Sequence, residues 1–160
     1  MISIEDIVKT VNKTLPLHSM WDGLWVHKFK RKSLVISASF DRCYYRNYDI
    51  VFKKVIFFNL PHEWRDTEVN TDELIRISTN EEFEKQHPDF DTLNKNIFAI
   101  DIWFANFARE NIMHTFFVVA DTVYIFKPLP PDNKFGGADY EDPFIGEIFP
   151  CKKNRVIKKL

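Results

Sequence analysis

The densest group of side chains able to recognise another molecule is Asp41-Arg42-Cys43-Tyr44-Tyr45-Arg46-Asn47-Tyr48. Tyrosine and arginine combine large contact area with hydrogen-bonding tips, and both are enriched at binding hot spots. A loop presenting Arg42, Tyr44, Tyr45 and Arg46 would read an acidic or aromatic partner. The plainer reading has the tyrosines folding back over the end of a sheet. A second group, His62-Glu63-Trp64-Arg65-Asp66, places Trp64 beside Arg65 after an apolar run. The candidate partner-binding residues are therefore Arg42, Tyr44, Tyr45, Arg46, Trp64 and Arg65. The acidic stretch 63–91 could meet a basic partner, although such charge runs are commonly solvated faces.

Catalytic patterns are not seen. The five histidines, His18, His27, His62, His87 and His114, form no HxH or HExxH spacing, the arrangements that converge ligands on zinc. His27 and His114 fall in expected strands and could face each other across a sheet. Cys43 lies between Arg42 and Tyr44, and a neighbouring cation can lower a thiol pKa; a cysteine filling a gap at a strand end is the plainer reading. No GxSxG elbow is present, and Gly136-Gly137 is followed by neither Lys-Ser nor Lys-Thr, so no phosphate loop is expected. Asp101 stands among Phe98-Ala-Ile-Asp-Ile-Trp103. Alternation groups it with Ala99 and Trp103, and it is expected on the solvent face; facing inward it would need a partner such as Arg109 or a histidine.

The chain that must position these groups has 160 residues, a hydrophobic fraction of 45% and a charged fraction of 28%, which fits one soluble domain. A chain of this size buries roughly 70% of its unfolded surface and needs no covalent staples. Two cysteines, Cys43 and Cys151, make no CxxC pair and are expected as free thiols, though a single bridge between them is open. The N-terminus carries no basic and apolar leader, and no apolar run is long enough to span a membrane, so a cytoplasmic protein without membrane association is expected. Net charge is −1 but unevenly spread: residues 1–60 hold ten basic and five acidic groups, and residues 61–91 hold three and ten. A general nucleic-acid binder would be more basic, and the tail 152–160 alone carries such a signal.

Sixteen phenylalanines against four glycines, in short alternating runs, favour pleated, half-buried strands. Ser3, with Ile4, Ile7, Val8 and Val11 on one face, predicts a capped helix ended by Pro16. Residues 24–40 predict a hairpin turning at Lys30-Arg31-Lys32-Ser33. Tyr48 to Leu60 predicts one long strand, with Lys53-Lys54 marking an edge, a bulge or a strand end. Leu74 to Ile77 predicts a short strand, and Thr79-Asn-Glu-Glu82 caps two helical turns stopped by Pro88. Asn96 to Phe104 predicts a strand; Ile112 to Val119 and Thr122 to Phe126 predict a hairpin around Ala120-Asp121. Residues 128–160 are expected to be irregular, with Phe144 to Phe149 a last short strand or a cover over the core.

These patterns predict a single α+β domain over residues 1–160. Its centre is a mainly antiparallel, twisted sheet of about six to eight strands, with the N-terminal helix packed on one face. In general layout such a chain resembles bacterial immunity and accessory proteins. That resemblance implies a non-enzymatic protein-binding domain that covers a partner's surface; from the absent motifs, no cofactor and no metal are expected. The alternative is a small-molecule binder with a pocket lined by some of the 25 aromatic residues. An enzyme using Cys43 or a histidine site comes last.

Overall fold

The structure, a computed structural model, describes residues 2–15, 23–39, 47–64, 73–105, 110–128, 145–149 and 156–158. In chain order the elements are α1 (Ile4–Thr14), β1 (Leu24–Lys30), β2 (Ser33–Ala38), β3 (Tyr48–Lys53), β4 (Phe57–Phe58), β5 (Glu63–Trp64) and β6 (Arg76–Ile77). There follow α2 (Asn80–Glu84), β7 (Asn96–Ala105), β8 (Asn111–Ala120), β9 (Thr122–Pro128), β10 (Ile145–Phe149) and β11 (Val156–Lys158).

The α+β class and the antiparallel pairing hold, but the strands form two sheets. A seven-stranded sheet runs β11-β10-β9-β3-β2-β1-β5, and a four-stranded sheet runs β4-β8-β7-β6. The single sheet expected from sequence is corrected accordingly. Within the region expected to be irregular, β10 pairs with β9, and β11 pairs with β10.

Local chemistry sets the first elements. Ser3 caps α1, its hydroxyl accepting from the Asp6 amide at 3.1 Å. Glu5 and Asp6 in the first turn and Lys13 in the last complement the helix dipole. Leu15, before Pro16, is already extended. Val8, Val11 and Leu15 are buried against the core. Asn12 pins the helix by donating to the Ile75 carbonyl at 2.7 Å and accepting from the Ile75 amide at 3.0 Å. Strands β1 and β2 form the expected hairpin. Its turn residues Arg31 and Lys32 have φ of 50° and 58°, the left-handed pair of a type I′ turn. A bulge at His27 shifts the register between Val26 and Lys28.

The run from Tyr48 to Phe58 is not one strand. It breaks at Lys54, whose φ is 53°, so that β3 belongs to the larger sheet and β4 to the smaller. Nor do β8 and β9 form a hairpin: β8 lies in the smaller sheet and β9 in the larger. Both corrections have one cause. Strands β3 and β9 pair in the larger sheet, ending at Lys53 opposite Thr122, and β4 and β8 pair in the smaller, with Phe57 opposite Val119. The same two chain segments therefore run side by side through both sheets. The Asp121 amide donates to the Lys53 carbonyl at 3.0 Å, and the Ile56 amide to the Val119 carbonyl at 2.9 Å. These bonds carry the ladder around the bend.

At the bend each segment shifts its inward phase by one residue. Val118 and Ala120 face the shared core, then Val123 and Ile125; Ile50 and Phe52 face it, then Val55. That core lies between the sheets and joins these residues to Leu34, Ile36, Phe98, Ile100 and Ile102. The other face of the smaller sheet is covered too. Phe83 of α2, with Phe57 and Phe90, packs on Ile97, Ala99, Phe117 and Val119.

Phe98 is fully buried, with its ring centroid 5.3 Å from that of Phe52 across the two sheets. We expect Phe98→Ala to lower stability by about 3–5 kcal/mol. Phe29→Ala at the exposed rim should cost about 1 kcal/mol or less. Urea unfolding of both variants checks the difference; equal losses would mean that the sheets do not share this core.

Candidate protein-binding site

Arg42, Tyr44, Tyr45 and Arg46 belong to the connection between β2 and β3, and they lie outside the described residues, as do Arg65, Cys43, Cys151 and Arg109. The stem of that connection is defined. Ala38 pairs with Tyr48, and the Asn47 amide donates to the Ala38 carbonyl at 3.0 Å. One residue pair further in, the buried Ser37 hydroxyl donates to Asp49 Oδ1 at 2.6 Å. Burial, and after it the charge of Asp49, push the Tyr124 hydroxyl above its ordinary pKa. Trp64 lies in β5 opposite Leu24, and its side chain is buried in the core between the sheets. Among the described residues its indole Nε1 has no hydrogen-bond partner.

The surface that the geometry brings forward was not among the sequence candidates. Strands β7 and β8 pair along ten positions, from Asn96 opposite Ala120 to Ala105 opposite Asn111. At one end of β8, Phe117 to Ala120 are buried on both faces of the strand; at the other, Asn111 to His114 are all exposed. Among the described residues, β4 pairs with β8 only at Val118 and Val119, and β6 pairs with β7 only at Phe98 and Ala99. The distal half of β7 and β8 is thus a two-stranded ribbon reaching past its neighbours. It carries Trp103 opposite Met113 and Phe104 opposite Ile112. Trp103 is 39% exposed, Ile112 44% and Met113 48%. These are large apolar side chains on a ribbon whose outer edges pair with no further strand among the described residues.

A charged cluster fixes the root of this ribbon. Asp101, beside Trp103 on the outer face as alternation indicates, is not solvated. Its side chain is 14% exposed and paired with a cation. Arg76 of β6 donates through Nε to Asp101 Oδ2 at 2.8 Å and through Nη2 to Asp101 Oδ1 at 3.2 Å. The same guanidinium donates to both oxygens of Glu82 on α2, at 2.8 and 2.6 Å. Thr115 donates to Asp101 at 2.7 Å, and Ser78 to Glu82 at 2.7 Å. One planar cation thereby ties strands β6, β7 and β8 to helix α2. Its hydrogen bonds to Glu82 and then Asp101 hold Arg76 further above its usual range. Hydrogen bonding from Arg76 lowers the Glu82 carboxyl from 4.5 to about 2, against the opposing effect of burial.

The histidines disperse. His27 is in the larger sheet and His114 in the smaller, so they do not face each other across one sheet. His87 packs among Phe57, Phe83 and Phe117, with Nε2 3.2 Å from Asn59 Nδ2. His114 stands exposed on the ribbon beside Phe104. His62 is exposed, and its carbonyl accepts from the Val26 amide; His18 lies outside the described residues. Among the described residues, no group of three or more His, Cys, Asp or Glu side chains is placed to hold a metal ion. Nor, among them, is any helix long and apolar enough to cross a membrane.

A carboxylate with a lowered folded pKa stabilises the fold above its unfolded pKa and loses that contribution as pH falls through the folded value. For Glu82 the window runs from 4.5 down to about 2. In Arg76→Met, Glu82 and Asp101 face each other without the cation, so the Glu82 pKa should rise to 4.5 or above. NMR titration of its carboxyl carbon measures this, and a value staying near 2 in the folded variant would refute the pairing. Comparison with family models, with curated proteins and with solved structures finds no match, and the reading of this site rests on its geometry.

Proposed function

We propose that the protein is a non-enzymatic protein-binding domain, of the kind that immunity and accessory proteins of bacteria represent, acting in the cytoplasm. The observation that carries this reading is the β7–β8 ribbon, which presents Trp103, Ile112 and Met113 to solvent beyond the packed body. Tryptophan and methionine are enriched in the cores of protein interfaces, and tryptophan is a frequent hot spot. The strand edges beside them allow a partner strand to add by backbone hydrogen bonds. The Arg76 cluster supports the reading, because it holds the ribbon's root in one geometry and so reduces the ordering cost of association. In the same reading, Arg42, Tyr44, Tyr45, Arg46 and Arg65 supply further contacts to the partner.

The test is capture from native lysate, read by mass spectrometry, with three proteins. These are wild type, Trp103→Ala/Met113→Ala, and Arg42→Ala/Tyr45→Ala. Both ribbon residues are partly exposed, so their truncation should cost about 1 kcal/mol or less of stability. The expected result is a partner held by wild type and lost by the folded ribbon variant. A partner retained at wild-type yield by that variant sinks the ribbon assignment. No captured protein under any condition sinks the binding-domain reading itself.

A further inference from the structure

The corner where the chain passes between sheets gathers basic side chains that are far apart in sequence. Lys30, Arg31 and Lys32 at the β1–β2 turn are exposed, and among the described residues their side chains make no ion pair or hydrogen bond. The Val55 amide donates to the Lys32 carbonyl at 2.9 Å, which places that turn against Lys54. Lys54, itself exposed, pairs with Asp121 at 2.8 Å, and Lys95 shares the same carboxylate. Lys53, one residue earlier, donates to Ser33 at 3.1 Å. Two lysines thus already occupy Asp121, and among the described residues the three turn cations have no carboxylate partner. Phe29, next to Lys30, is 50% exposed and rests one side of its ring on Phe58 at 5.1 Å.

The backbone adds a second observation. Arg31, Lys32 and Lys54 all have positive φ, a region that Asn or Gly occupies at lower cost. Three neighbouring positions therefore carry long cations where the turn geometry favours small residues. Strain of this kind clusters at sites of function.

We propose that this corner docks an acidic segment of a partner protein, with Lys30, Arg31, Lys32 and Lys54 meeting carboxylates and Phe29 meeting an apolar side chain within that segment. Charge complementarity argues for an acidic ligand. Its extent argues for a short one: the cations lie on one tight turn and the bend beside it, and the chain's net charge of −1 gives a long polyanion no long-range attraction. The corner does not depend on the ribbon. Trp103 lies seven residues along β7 from Asn96, which bonds Asp121, a span of ~23 Å.

Fluorescence anisotropy with a labelled peptide of alternating Glu and Leu tests the proposal, with an oligothymidylate of equal charge as the competing probe. The turn variant Lys30→Gln/Arg31→Asn/Lys32→Gly keeps a hairpin turn, and thermal unfolding verifies its fold. Wild type should bind the peptide with an affinity that falls as salt rises. The folded turn variant should bind roughly tenfold more weakly, and Trp103→Ala/Met113→Ala as well as wild type. Equal peptide binding by wild type and the turn variant would overturn the proposal. So would loss of binding in the ribbon variant, tighter binding of the oligothymidylate, or no peptide binding by wild type at low salt.

Discussion

Everything else in this fold depends on the passage of one hydrogen-bonded strand pair from the larger sheet into the smaller. Backbone amides and carbonyls buried at such a passage must stay paired, because each orphaned group costs about 1–3 kcal/mol. The chain meets this by bending both strands at one place. Lys54 takes a left-handed conformation, and Asp121 bridges from its own amide to the Lys53 carbonyl. All five non-glycine residues of positive φ among those described lie on segments that meet there: Arg31, Lys32, Lys54, Leu93 and Asn94. The Leu93-Asn94 turn delivers Lys95 to Asp121, and the Arg31-Lys32 turn delivers the Lys32 carbonyl to Val55.

The exposed ion pairs at this corner orient groups more than they add stability, since such pairs are worth little in water. Hydrogen bonds from Lys54 and then Lys95 keep the Asp121 carboxyl below its ordinary pKa, so the pairing persists across neutral pH. The larger driving force is apolar. With the two paired segments β3–β4 and β8–β9 bent, the inner faces of both sheets close on a single core, and α1 seals it against β9 and β6.

The smaller sheet shows how burial and exposure divide one element. Its proximal half is covered on both faces, by the larger sheet and by α2 with Phe90, and reads as a continuous apolar run from Phe116 to Ala120. Its distal half keeps the first cover only in part, through Ile102 and Phe104, and among the described residues lacks the second, yet it holds large apolar residues in solvent. The Arg76–Asp101–Glu82 cluster marks the boundary. A guanidinium held by two carboxylates satisfies charges that would otherwise be stranded at the edge of the packed region.

What the sequence determined alone was everything written in contiguous residues. Ser3 with the Ile4–Val11 stripe gave α1, Thr79 with Glu82 gave α2, and the polar turn between two alternating runs gave the β1–β2 hairpin. In each case the deciding bonds join residues two to four apart. Alternation also put Asp101 and Trp103 on one face of β7. It could not show that Arg76, 25 residues away, covers the first while the second is left in solvent. For the same reason the sequence marked Lys53-Lys54 as an edge, a bulge or a strand end and Ala120-Asp121 as a turn, but the single-sheet reading missed that the chain passes from one sheet to the other at both. Whether an apolar strand residue is buried, and which sheet a strand joins, is set by pairing with distant segments; only the tertiary structure decides it.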